Sequence, residues 1–76
     1  MSKKLPAIKP RQVIRALEKA GWQVHRQKGS HVSMHKKDVP NLVVIPLHTR
    51  DIPKGTFHGI LDDAGLTIEQ FLELLN

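Results

Sequence analysis

The chain has 76 residues, no cysteine and a formal net charge of +5. That length allows one small domain, which hides only about 60% of its unfolded surface, and the lack of cysteine excludes disulfides and thiolate metal sites. The amino terminus lacks the apolar run of about 7 or more residues that export requires, and no segment approaches the roughly 20 apolar residues of a membrane span, so a cytoplasmic protein is expected.

The charge is unevenly distributed. Residues 1–37 carry ten Lys and Arg against Glu18 alone, a balance of +9, whereas residues 38–76 carry Arg50 and Lys54 against six acids, a balance of −4. A basic half suits a polyphosphate, whose condensed counterions are released when Lys and Arg replace them. An acidic half suits solvent or a basic protein partner. Solubility alone would also account for the lysines.

Residues 1–9 are charged and contain Pro6, and they read as a flexible lead-in to a single domain over 10–76. Pro10 suits a first helical position, where its missing N–H costs nothing, and Val13, Ile14, Leu17 and Ala20 then share one face up to the stop at Gly21. After Gly21 the period shortens to 2, with Trp22, Val24 and Arg26 facing one way and Gln23, His25 and Gln27 the other. Lys28-Gly29-Ser30 is a turn signal, and residues 31–35 resume the alternation with Val32 and Met34 as the apolar pair, so a hairpin follows. His31, Ser33 and His35 then share the sheet face turned away from the helices. Asp38-Val39-Pro40-Asn41 reads as a second turn, and residues 42–45 as an apolar strand ended by Pro46.

The rest is helical. Phe57, Ile60, Leu61 and Ala64 form a stripe that stops at Gly65, and Thr67 with Gln70 makes a capping box ahead of Ile68, Phe71, Leu72 and Leu75. The expected fold is therefore α+β: a two-layer α-β-β-β-α domain, with a three-stranded antiparallel sheet carrying its helices on one face.

An ordered set of motifs now resembles a known family. Gly21-Trp22 after the first helix, Arg26-Gln27-Lys28-Gly29-Ser30-His31, Ile45-Pro46-Leu47-His48, Lys54-Gly55-Thr56, Ile60-Leu61 and Ala64-Gly65-Leu66-Thr67 look like the HicA-type (YcfA-like) toxins of toxin–antitoxin modules. The resemblance spans about residues 10–75. It implies a fold like a double-stranded-RNA-binding domain and metal-independent cleavage of mRNA, held in check by a HicB-type antitoxin in a hetero-oligomer. The family's catalytic histidine falls on His31. One departure is Val32, where many members carry a second histidine or another polar residue, so no auxiliary role passes to that position.

The residues support the same chemistry by themselves. RNA carries its own nucleophile, the 2′-OH, so cleavage needs a base for that proton, an acid for the 5′-oxygen and positive charge for the phosphorane. Imidazole suits such transfers, with an ordinary pKa of about 6.5. His31 is the candidate base or acid and Lys28 its electrostatic support, with the Gly29 and Ser30 amides available to a phosphate oxygen. Arg26, His25 and Ser33 complete the candidate substrate-binding set, although a solvated strand face would also hold such residues.

Other chemistries fit less well. His31 and His35 would stand about 13 Å apart at roughly 3.3 Å per residue, too far to share an ion, so a metal site would need His48 or His58 alongside. No metal and no cofactor are expected. Ser30 lacks a nucleophile-elbow context, and His48, after Pro46, reads as structural. With no Tyr, and with Phe57, Phe71 and Trp22 on core stripes, base stacking is not expected to drive recognition. The competing function is a non-catalytic double-stranded-RNA-binding module, which concentrates Lys at the start of its last helix. Residues 56–64 hold no Lys or Arg and two Asp, which favours the enzyme.

Overall fold

A computed structural model describes residues 7–48 and 50–75. The elements run α1 (Pro10–Lys19), β1 (Gln23–Lys28), β2 (His31–Lys36), β3 (Val39–Pro46), α2 (Lys54–Ala64) and α3 (Ile68–Leu75). The three strands form one antiparallel sheet in the order β1-β2-β3, so β2 is bonded on both sides and β1 and β3 are its edges. This is the expected two-layer α+β domain of double-stranded-RNA-binding type, its last element being a helix pair. Among the described residues no helix is long and apolar enough to cross a membrane.

Local chemistry sets the helix ends. Pro10 opens α1, and the Lys9 backbone N–H ahead of it donates to Gln12 Oε1 at 2.8 Å. At the other end Gly21 takes a φ of +101°, the Gly21 N–H donates to the Glu18 carbonyl, and the Trp22 N–H donates to the Leu17 carbonyl at 2.9 Å. This pair of bonds caps the last carbonyls, and it needs a left-handed residue that glycine supplies without steric cost. It also turns Trp22 into the core, where 2% of its surface is exposed. The α3 capping box forms reciprocally, Thr67 N–H to Gln70 Oε1 at 2.9 Å and Gln70 N–H to Thr67 Oγ1 at 3.1 Å.

Val32 and Met34 of β2 and Val43 and Ile45 of β3 form the buried sheet face. Against it lie Val13, Ala16 and Leu17 of α1, Phe57, Ile60 and Leu61 of α2, and Phe71 of α3. The Phe57 and Phe71 rings meet edge to face, centroids 4.9 Å apart, which ties α2 to α3; such pairs stabilise beyond their buried area by about 0.5–1.5 kcal/mol.

Three expectations change. The expected turn at Asp38-Val39-Pro40-Asn41 is tighter: residues 37 and 38 make it, with Asp38 at φ +67°, and β3 already begins at Val39. Aspartate tolerates that conformation, and Pro40 is accommodated because β3 is an edge strand with one side free of ladder bonds. Ile8, two residues ahead of the expected start of the domain, is buried, and its carbonyl accepts the Ile52 N–H at 2.8 Å; residues 1–6 of the lead-in lie outside the described residues. Val24, expected to face the core with Trp22, is 48% exposed although it pairs with the buried Met34. The helices pack chiefly on one another and on β3, so the inner side of β1 gains little cover.

Phe71→Ala should remove the centre of this core and lower unfolding free energy by about 3–5 kcal/mol. Leu42→Ala, on the open side of the sheet, should change it by no more than about 0.5 kcal/mol. Urea denaturation of both variants would measure the contrast.

Candidate active site

The site is built on the outer face of β2. Strand alternation sends Val32 and Met34 inward, so His31, Ser33 and His35 point outward. His31 is exposed and pairs with Lys28 of β1 on one side and Pro46 of β3 on the other. In the next outward row Ser33 lies between Arg26 and Val44. Directly opposed residues share a face and stand about 4.5–5.5 Å apart at Cβ. The structure thus gathers Lys28, His31, Arg26 and Ser33 into two adjacent rows.

Arg26 reaches that face by an irregularity that simple alternation misses. Val24 pairs with Met34 and Arg26 with Ser33, so β1 carries His25 as one extra residue at this point. Such a bulge shifts side-chain parity from there onward. Arg26, expected on the Trp22 side, is turned to the outer face, Lys28 follows it, and Gln27 pairs with Val32 instead. His25 also stays outward, its ring 5.3 Å from that of His35 in an edge-on arrangement.

The hairpin turn positions the remaining candidates. Lys28 and His31 are its closing pair, leaving Gly29 and Ser30 as the central residues. Gly29 has φ +58° while Ser30 is not left-handed, the pattern of a type II′ turn, whose twist matches that of the strands it joins. The Ser30 carbonyl accepts the Leu47 N–H at 2.6 Å. This bond prolongs the β2–β3 contact past Pro46, which has no N–H, and holds the segment after β3 against the hairpin tip.

The consequence for His48 is geometric. Two residues beyond the outward Pro46, it returns to the same face, and its ring centroid lies 5.8 Å from that of His31. His48, expected as a structural residue, is exposed, and the sequence signal for its place is its spacing of two from Pro46, which faces His31. His31 and His48 line a shallow cavity of about 370 Å³ with Val44, Pro46, Pro53 and Thr56, a lining that holds no carboxylate among the described residues. Leu47 lines a second cavity, of about 290 Å³, with Lys9, Pro10, Arg11 and Arg50, which adds three cations near the same segment. His48 does fold beside His31, yet among the described residues no group of three His, Cys, Asp or Glu is placed to hold a metal ion.

Two further points revise the sequence reading. The outer face is not wholly polar, because β3 presents Leu42 and Val44, each 45% exposed, beside the basic rows. Helix α2 starts at Lys54 rather than within 56–64, so one lysine does stand at its beginning. Val32 is buried in the core and faces away from the site.

The family model described as "HicA toxin of bacterial toxin-antitoxin" matches residues 10–66. The chain belongs to the HicA toxin family. Among solved structures, a chain of a toxin–antitoxin complex from Streptococcus pneumoniae is similar, with 32% sequence identity and a TM-score of 0.64 over 80% of this chain and 100% of that one. A search of curated protein sequences finds no match. The stretch matched by the HicA model contains β1, β2, β3 and α2, and with them the whole His31 face.

Gly29→Ala tests the turn. An added Cβ would meet no atom within 4 Å, so the cost is conformational alone. It should amount to about 1–2 kcal/mol of stability, the steric cost of a left-handed non-glycine residue, read from thermal or urea unfolding.

Proposed function

We propose that this HicA-family chain is an endoribonuclease toxin in which His31 transfers a proton during cleavage of RNA. The observation that carries the reading is the row formed by Lys28 and His31 on an exposed face. An imidazole able to take or give a proton stands beside a fixed cation, where a phosphodiester can approach without steric hindrance. Cleavage proceeds by attack of the 2′-oxygen on phosphorus and departure of the 5′-oxygen, so imidazole and cations supply the groups that the step needs. Arg26 and Ser33 in the adjacent row, with His25 beside them, extend the contact along the RNA backbone. Gly29 and Ser30 contribute turn amides near the same phosphate. With no exposed aromatic ring other than imidazoles on this face, recognition rests on phosphates and the 2′-OH, and broad sequence preference follows.

The partner proposed is a HicB-type antitoxin. Its support is the likeness to a chain from a toxin–antitoxin complex and the mixed character of the outer face, where Leu42 and Val44 adjoin Arg26, Lys28 and His31. A partner with apolar and acidic groups would cover that face, remove apolar area from water and occlude His31 together. A toxin that acts on mRNA works in the cytoplasm.

Purified protein should cut a long single-stranded RNA in EDTA. His31→Ala should reduce the rate by at least about 10²-fold, the usual contribution of a positioned proton-transfer group, with circular dichroism unchanged and RNA binding retained. Wild-type protein that binds RNA without cutting it would instead indicate a non-catalytic binding module. Lys28→Ala should weaken RNA binding and lower the slope of log affinity against log salt by about 0.7, the loss of one single-strand phosphate contact. A titration between low and physiological salt would check it.

A further inference from the structure

We propose that His48 is the second proton-transfer group of the site, paired with His31 across one scissile phosphate. The inference rests on the ribonuclease reading above and names the acid or base that His31 alone leaves missing. Three observations support it. The ring centroids of His31 and His48 lie 5.8 Å apart at an interplanar angle of 57°. Both rings are exposed, and both line one open cavity with Pro46, Pro53, Thr56 and Val44. The pairing is built in rather than incidental: Pro46 opposes His31, and the Leu47 N–H bond to the Ser30 carbonyl holds the backbone next to His48 against the hairpin tip.

The lining leaves few other candidates. Among the described residues it contains no carboxylate, and of its remaining side chains there only the Thr56 hydroxyl is protic, with no capacity to exchange a proton near neutral pH. Lys28, on the far side of His31, is an ammonium suited to charge stabilisation. Two imidazoles are a sufficient set for the transfer. One, neutral, takes the 2′-OH proton as the 2′-oxygen bonds to phosphorus. The other, protonated, delivers its proton to the 5′-oxygen as the phosphorus to 5′-oxygen bond breaks. The products are a 2′,3′-cyclic phosphate and a 5′-hydroxyl; one proton has passed from the 2′-oxygen to the neutral imidazole and one from the imidazolium to the 5′-oxygen, so the two rings exchange protonation states and no further reactant is required.

The test compares wild type, His31→Ala, His48→Ala and His48→Gln on two RNAs that share one mapped cleavage site. One RNA is ordinary, and in the other sulfur replaces the 5′-bridging oxygen, so that the leaving group departs without a proton donor. On ordinary RNA both His48 variants should lose about 10²–10⁴-fold in rate. On the sulfur-containing RNA, one of the two alanine variants should return to within about 10-fold of wild type while the other stays slow, which assigns acid and base. The pH–rate profile adds a readout that a structural role would not move: a required base makes the rate rise with pH, a required acid makes it fall, and His48→Ala should lose one of these two limbs. Cleavage of ordinary RNA by His48→Ala at the wild-type rate, with His31→Ala inactive, overturns this proposal and leaves the ribonuclease reading standing. Equal loss on both RNAs in both alanine variants, with both limbs retained in His48→Ala, also overturns it. Wild-type protein that cuts neither RNA overturns the ribonuclease reading, and the His48 assignment with it.

Discussion

Strand β2 is bonded on both sides and buried on one face, and the placement of every candidate functional group follows from that. Its partners on β1 and β3 set the register, while burial of Val32 and Met34 sets which face is in. A slip of one residue would exchange Val32 with His31, placing an imidazole in the core and a valine in the site. Such a slip would forfeit the burial of two apolar side chains, each contributing about 1.5–3 kcal/mol. In a domain whose whole stability is on the order of 5–15 kcal/mol, that is enough to exclude the alternative. The hydrophobic core thus holds the site in register although no site residue belongs to it.

Charge is concentrated by backbone geometry rather than by composition alone. The basic half of the sequence could have spread its Lys and Arg over all surfaces. The extra residue at His25 brings Arg26 to the outer face, and the Gly29-Ser30 turn places Lys28 opposite His31. These groups are exposed, so pairwise attractions among surface charges are weak and screened, at about 0–1 kcal/mol each. Their collective effect on a polyanion is larger, because every phosphate contact releases counterions and the gain accumulates along the strand.

The same face carries apolar residues at its β3 edge. Leu42 and Val44 are half-exposed, and Val44 pairs with Ser33 in the β2–β3 ladder that positions His31. An exposed apolar strip beside a basic row suits a protein partner better than it suits water, and under the proposed reading it lets inhibition and substrate binding compete for one surface.

Much of the architecture was legible in the amino-acid sequence, because it is written in local signals. Pro10 and Gly21 bracket α1, the Thr67 and Gln70 pair opens α3, the alternation of Val32 and Met34 with His31, Ser33 and His35 defines β2, and the motif set around Lys28-Gly29-Ser30-His31 carries the family. Each of these depends on residues within about one turn or one hairpin of each other, where side-chain chemistry and backbone preference act directly. Tertiary structure alone decided the rest. The parity of Arg26 depends on a bulge that no residue type in β1 announces. The burial of Ile8 depends on the segment that holds Ile52, and the exposure of Val24 depends on helices that reach only part of the sheet. The approach of His48 to His31 joins residues 17 positions apart through a cross-strand bond at the hairpin tip. Local pattern sets which way a side chain faces along its own strand, but distance between side chains on different elements is set only when the elements pack.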